Sequence, residues 1–142
     1  MLSAPPVVSA QTQVLLRAVT AEQNLILTYA KVMSAYSRLA GPLAPLRAEH
    51  EAHLAQLRAG VVGVEWGKQA QETVTARALL AGTESAALAQ LRAAEQAAVT
   101  AQMERLAAAP APLAQLYASI AACESTHVSV LGARIGARAG AQ

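Results

Sequence analysis

The chain has 142 residues and a mass of 14.6 kDa, enough for one compact domain with one hydrophobic core. Apolar residues make up 54% and charged residues only 14%, a balance that excludes an intrinsically disordered chain. The net charge is only +2, and the eleven Lys and Arg form no cluster, so the sequence predicts no nucleic-acid-binding surface. Alanine is the commonest residue and all nine acids are Glu, which favours helices over strands.

Glycine and proline residues divide the chain into four predicted helices. The first is expected to stop at Gly41, the second at Gly60, and the third to begin after Thr83, a residue type suited to an N-cap. Pro110 lies between the third and the fourth, and the tail beyond about residue 134 is expected to fray. The predicted helices cover about residues 9–40, 43–59, 83–108 and 113–132, and a long crossover covers residues 60–82.

The lengths of the connections predict the topology. Short links make the first and second helices, and the third and fourth, antiparallel neighbours, and the long link allows the chain to return along the bundle. The predicted fold is therefore an all-α, antiparallel four-helix bundle in a single domain over residues 1–142. No run of about 18 apolar residues predicts a membrane span, and the N-terminus does not resemble a signal peptide. A cytoplasmic protein with no membrane partner is expected.

Each predicted helix carries polar side chains in the middle of its apolar stripe. All three histidines of the chain lie in these stripes, and two of the stripe residues form the pair Glu124-x-x-His127. Alone, each Glu also fits a surface position and each His a hydrogen-bonded core position. Together they indicate a shared metal site, because buried Glu is costly unless it is paired or coordinated. The candidate metal ligands are Glu22, His50, His53, Glu95, Glu124 and His127.

This pattern resembles the ferritin-like family of carboxylate-bridged di-metal proteins. That family supplies a Glu from each of two helices and a Glu-x-x-His from each of the other two. The matching segments are TAEQNLILTYA, RAEHEAHLAQL, RAAEQAAVTAQ and ACESTHVSVLG. Tyr29 is similar to the tyrosine found two turns beyond the first ligand in rubrerythrin-like members, and the small Ala-rich bacterial ferritin-like domains are the most similar in character. The resemblance implies iron or manganese at the core and oxidase or peroxide-linked redox chemistry.

The sequence departs from the family pattern at His50, where the second helix should carry a carboxylate. An imidazole binds one metal per nitrogen and does not bridge two metals as a carboxylate does. If two ions bind, we expect Glu22, His50 and His53 on one side and Glu95, Glu124 and His127 on the other. The half with more imidazoles would prefer Zn or Fe over Mn.

Three functions remain open at the level of the sequence. The first is a ferritin-like protein that binds one or two ions of Fe, with Mn or Zn as alternatives. The second is a bundle that has lost its metal and serves as a structural or interaction module. The third is a mononuclear Zn or Fe site. The short chain, without an evident fifth helix, predicts a monomer or homodimer and not a cage.

Overall fold

The four predicted helices form a bundle in the computed structural model, which describes residues 8–61 and 82–141. The helices are α1 (Ala10–Ala35), α2 (Ser37–Ala59), α3 (Glu84–Ala108) and α4 (Ala111–Ala139). The described residues contain no strand, so the all-α four-helix fold is confirmed. The predicted crossover lies outside the described residues except at its two ends.

Side-chain caps fix the starts of α1 and α3. The Ser9 hydroxyl accepts a hydrogen bond from the backbone N–H of Thr12 at 3.1 Å. The Thr83 hydroxyl does the same for Ala86, also at 3.1 Å. Each cap satisfies one of the N–H groups that the first turn of a helix leaves without an intrahelical partner.

The break between α1 and α2 lies at Tyr36, which corrects the predicted break at Gly41 and Pro42. Both of those residues lie inside α2. Tertiary packing outweighs their low helix propensity. The α2 residues Leu39, Leu43 and Leu46 follow one another at helical spacing and all are buried, so packing of this stripe stabilises the helix across the glycine and the proline.

The C-terminal end of α4 also differs from the prediction. The helix continues to Ala139, whereas the tail was expected to fray from about residue 134. Ile135 packs against the hydrophobic cluster at that end of the bundle. Arg138 forms an ion pair with Glu84 at the start of α3. These contacts hold the last turns of α4 to the bundle.

Two hydrophobic clusters occupy the two ends of the bundle, and neighbouring helices pack antiparallel around them. The first cluster includes Tyr29, Leu43, Leu88 and Leu131, and the second includes Leu15, Leu57, Tyr117 and Ile120. Helix α1 contacts α2 and α3, and α4 contacts α3 and α2. The centre of every helix therefore lies at one level between the clusters, which is where the predicted polar residues are.

The chain leaves α2 and enters α3 at opposite ends of the bundle. Val61 belongs to the cluster around Leu15. The carbonyl of Gly82 accepts a hydrogen bond from the Tyr36 hydroxyl at 3.1 Å, at the other end. Residues 62–81 must therefore join the two ends. None of the described helices is long and apolar enough to cross a membrane.

Candidate metal centre

The bundle buries all six predicted ligands at its central level. His50, Glu95 and Glu124 are 0% exposed, and the most exposed of the six, His53, is 8% exposed. Each helix contributes at least one of them, because each stands in the middle of an apolar stripe. The fully buried residues that surround them are Leu and aromatic side chains, so the polar cluster is enclosed between the two hydrophobic clusters.

The imidazole of His50 lies at the middle of the cluster and contacts two carboxylates. Its Nδ1 is 2.8 Å from Glu22 Oε2 and its Nε2 is 2.7 Å from Glu95 Oε1. Burial, the largest effect, lowers the pKa of His50, but hydrogen bonds to the two carboxylates outweigh it and raise this pKa to about 10. In the metal-free protein His50 is therefore a doubly protonated cation that donates to both carboxylates.

Glu95 is the most heavily hydrogen-bonded carboxylate of the cluster. Its Oε1 accepts from the Tyr29 hydroxyl at 2.5 Å and lies 3.1 Å from His127 Nδ1, in addition to the bond from His50. Burial raises the pKa of Glu95, yet the hydrogen bonds from His127 and His50 outweigh burial and hold this pKa at about 2. Glu95 is thus an anion on which three donors converge.

Glu124 has a different environment from Glu95. Burial and the adjacent carboxylate of Glu22 raise the pKa of Glu124 to about 9, so its carboxyl group is neutral at physiological pH. His53 Nδ1 lies 3.7 Å from Glu22 Oε1, and burial lowers the pKa of His53. Several buried atoms of this group have no hydrogen-bond partner: Glu22 Oε1, His53 Nδ1, Glu124 Oε1 and Oε2, and also Glu95 Oε2.

Ligand-type atoms converge in two groups that share His50. Within each group, one such atom per residue lies within 4.8 Å of all the others: Glu22, His50, His53 and Glu124 form the first group, and His50, Glu95 and His127 form the second. Glu124 therefore lies with Glu22, not with Glu95 and His127 as the sequence had suggested. The reason is the position of the His50 ring, which stands between Glu22 and Glu95 and separates the two groups.

A third group of ligand-type atoms lies at the rim of the bundle, and the sequence analysis missed its acidic member. Glu49 Oε2 lies 2.5 Å from His127 Nε2 and accepts from the Cys123 thiol at 3.1 Å. Glu49 stands three residues after Leu46, so an inward face wider than a strict three-four stripe would have included it. Burial and the Glu49 carboxylate raise the pKa of Cys123 to about 12, so this cysteine is a protonated thiol.

No protein-family model, curated protein or solved structure matches the chain. The four-helix bundle and the buried Glu and His residues at its centre are compatible with a ferritin-like bundle. They bring enough ligand-type atoms together to hold a metal ion.

Proposed function

We propose that the chain is a metal-binding protein that holds one divalent ion at the centre of the bundle, with Glu22, His50, His53 and Glu124 as its ligands. The observation that carries this proposal is the set of buried atoms without hydrogen-bond partners on Glu22, His53 and Glu124. Native proteins rarely leave buried polar atoms unsatisfied. A cation among these atoms would satisfy them and remove the repulsion between the two carboxyl groups.

The donor set favours iron or zinc. Two imidazole nitrogens and two carboxylates form a set typical of Fe(II) and Zn(II) sites, whereas Mn(II) prefers a larger share of oxygen ligands. Bound iron would supply redox chemistry with oxygen or peroxide, and bound zinc would supply Lewis acidity. The buried position of the ligands keeps bulk water away from the ion.

Glu95 is proposed as the residue that orients His50 and not as a direct ligand. Metal-bound histidines usually donate their other ring N–H to a carboxylate, which fixes the tautomer and the orientation of the ring. Glu95 Oε1 receives His50 Nε2 at 2.7 Å. On metal binding, His50 would give up the proton at Nδ1 and keep the proton at Nε2.

The residues present do not fit the carboxylate-bridged pair of ions that the ferritin-like resemblance implies. The position of one bridging carboxylate is taken by His50, whose two nitrogens face different carboxylates. Glu95 Oε1 is already occupied by three donors. We therefore infer a ferritin-like bundle that carries a single ion, which unites the first and third functions considered from the sequence.

Metal content and calorimetry test this proposal. Protein purified without chelator is analysed for Fe, Mn and Zn by mass spectrometry, and the stripped protein is titrated with Zn(II) and, without oxygen, with Fe(II). We expect one ion per chain. Glu124→Gln and His53→Gln remove ligands and should weaken binding by roughly 100-fold or more, and Glu95→Gln by roughly 10–100-fold.

Two further variants make the outcome decisive. Glu104→Gln removes the same charge from an exposed position on α3 and should leave the affinity unchanged. His127→Gln should also leave it nearly unchanged, because His127 lies in the other group. Two ions per chain, one of them lost in His127→Gln, would instead establish a di-metal site. A stripped protein that binds neither metal would overturn the proposal and leave a structural bundle.

A further inference from the structure

A pocket with a volume of about 410 Å³ lies at one end of the bundle, between the start of α1, the end of α3 and the start of α4. We call it the end pocket. Its volume is in the range of small-molecule binding sites. Apolar side chains, among them Val14, Ala101 and Leu113, form most of its wall. None of the proposed metal ligands lines the end pocket.

The floor of the end pocket contains a buried hydroxyl group without a partner. Tyr117 is 1% exposed, and its hydroxyl has no hydrogen-bond partner among the described residues. Burial raises the pKa of this hydroxyl despite the nearby charge of Arg105. A buried hydroxyl that donates to nothing carries a cost of about 1–3 kcal/mol, and an acceptor in the pocket would remove that cost.

Two arginines of the end pocket also lack an anionic partner. Arg105 is half-buried and donates to the Gln102 side-chain oxygen at 3.1 Å, which is a neutral acceptor. Within residues 8–61 and 82–141, no carboxylate lies at ion-pair distance from Arg105 or from Arg17, which lines the same pocket. Burial lowers the pKa of Arg105, which shows that its charge is partly desolvated.

The charges around the pocket restrict the ligand to a monoanion. Arg17 and Arg105 supply two positive charges, and Glu104, which is exposed at the rim, supplies one negative charge. The remaining charge of +1 matches one carboxylate, whereas a phosphate dianion would be repelled by Glu104. Charge-assisted hydrogen bonds from Arg to a carboxylate are among the strongest in proteins.

We propose that the end pocket binds a small monocarboxylate with a hydrocarbon body. The carboxylate contacts Arg105 and the Tyr117 hydroxyl, and the hydrocarbon body lies against Val14 and Leu113. Tyr117 stands seven residues before Glu124 on α4, about 10 Å along the helix axis. This site is therefore separate from the proposed metal centre, and either proposal can fail without the other.

Calorimetric titration of the metal-free protein with octanoate tests the proposal. We expect one octanoate per chain, with 1-octanol and acetate each binding at least about tenfold more weakly, because one lacks the charge and the other the hydrocarbon body. Arg105→Gln should weaken octanoate binding by about tenfold or more. Arg38→Gln, which removes the same charge from an exposed site on α2, is the control and should change nothing.

Two more variants locate the ligand and separate a binding role from a structural one. Ala101→Leu fills the end pocket and should abolish binding. Tyr117→Phe should raise the melting temperature of the free protein, because it removes the unpartnered hydroxyl, yet reduce the further rise that octanoate causes. Equal binding of 1-octanol and octanoate, unchanged binding in Arg105→Gln or in Ala101→Leu, or no binding at all would each overturn the proposal.

Discussion

His50 determines how the centre of this protein differs from a carboxylate-bridged di-metal site. A glutamate at this position would add a further negative charge beside Glu22, Glu95 and Glu124. The imidazolium instead donates to Glu22 and Glu95 at once and neutralises part of their charge. The metal-free core is thus held together by a proton where a ferritin-like protein would hold a second metal.

Replacement of Glu124 by Gln should stabilise the metal-free protein at alkaline pH. Glu124 has a pKa of about 9 in the folded protein, so folding requires its carboxyl group to keep a proton that the unfolded chain releases near pH 4.5. Gln is similar in shape and needs no proton. At pH 8 we expect a gain of about 1–3 kcal/mol in the free energy of unfolding, and little gain at pH 5. Urea unfolding with chelator measures both, and a loss of stability at pH 8 would contradict this assignment.

Tyr29 and Tyr117 form a matched pair for testing the buried hydrogen bonds. Both are almost fully buried, but only the Tyr29 hydroxyl has a partner, the Glu95 carboxylate at 2.5 Å. Tyr29→Phe should lower the free energy of unfolding by about 1–3 kcal/mol. Tyr117→Phe should leave it unchanged or raise it. Urea unfolding of both variants compares them, and equal losses would show that the Glu95 contact contributes nothing.

At the scale of the helices, apolar periodicity predicted which faces turn inward. Every predicted inward position of α2, from Leu43 to Leu57, is buried. Periodicity succeeds because burial of one face is a property of the whole helix. The start of α2 was wrong because Gly41 and Pro42 are local signals, and they were outweighed by packing that involves residues from other helices.

The arrangement within the polar cluster was less predictable than the membership of the cluster. The spacing placed His50 and Glu124 in inward stripes, but spacing does not tell which carboxylate each ring nitrogen contacts. That depends on side-chain rotamers and on competition for one acceptor, Glu95 Oε1. Glu49 was missed for a related reason, since its side chain reaches His127 from the margin of the α2 face.

Gly41→Ala tests the position of the break between α1 and α2. Gly41 is exposed within α2, and an added methyl group would meet nothing within 4 Å. If α2 begins at Ser37, alanine should raise the free energy of unfolding by about 0.5–1 kcal/mol, because Gly is a poor helix former. Gly82→Ala is the contrast, since Gly82 has a φ of 147° that alanine adopts only with strain. Thermal unfolding of both variants tests this, and no gain in Gly41→Ala would place the break where the sequence had suggested.

At the scale of the whole molecule, the buried groups give metal-free stability a predictable dependence on pH. The folded-state pKa of His50 is about 10 against an ordinary 6.5, so the stability that it contributes is lost as pH rises from about 6.5 to 10. Glu124 acts in the same direction between about 4.5 and 9. Glu95, with a pKa of about 2, contributes stability that is lost as pH falls from about 4.5 to 2. His53, whose pKa is lowered, also disfavours acid pH.

The metal-free protein should therefore be most stable in mildly acidic solution, near pH 5–6, and should lose stability up to pH 9. Each extra proton held by the folded state gives a slope of about 1.4 kcal/mol per pH unit. Metal affinity should change in the opposite direction, because the ion displaces protons from His50 and Glu124. Melting temperatures between pH 5 and pH 9 are measured with chelator and with saturating Zn(II). We expect a fall with chelator, a smaller fall in Glu124→Gln, and a stabilisation by Zn(II) that grows with pH. A metal-free protein that is most stable at pH 9 would show that the buried cluster does not hold these protons.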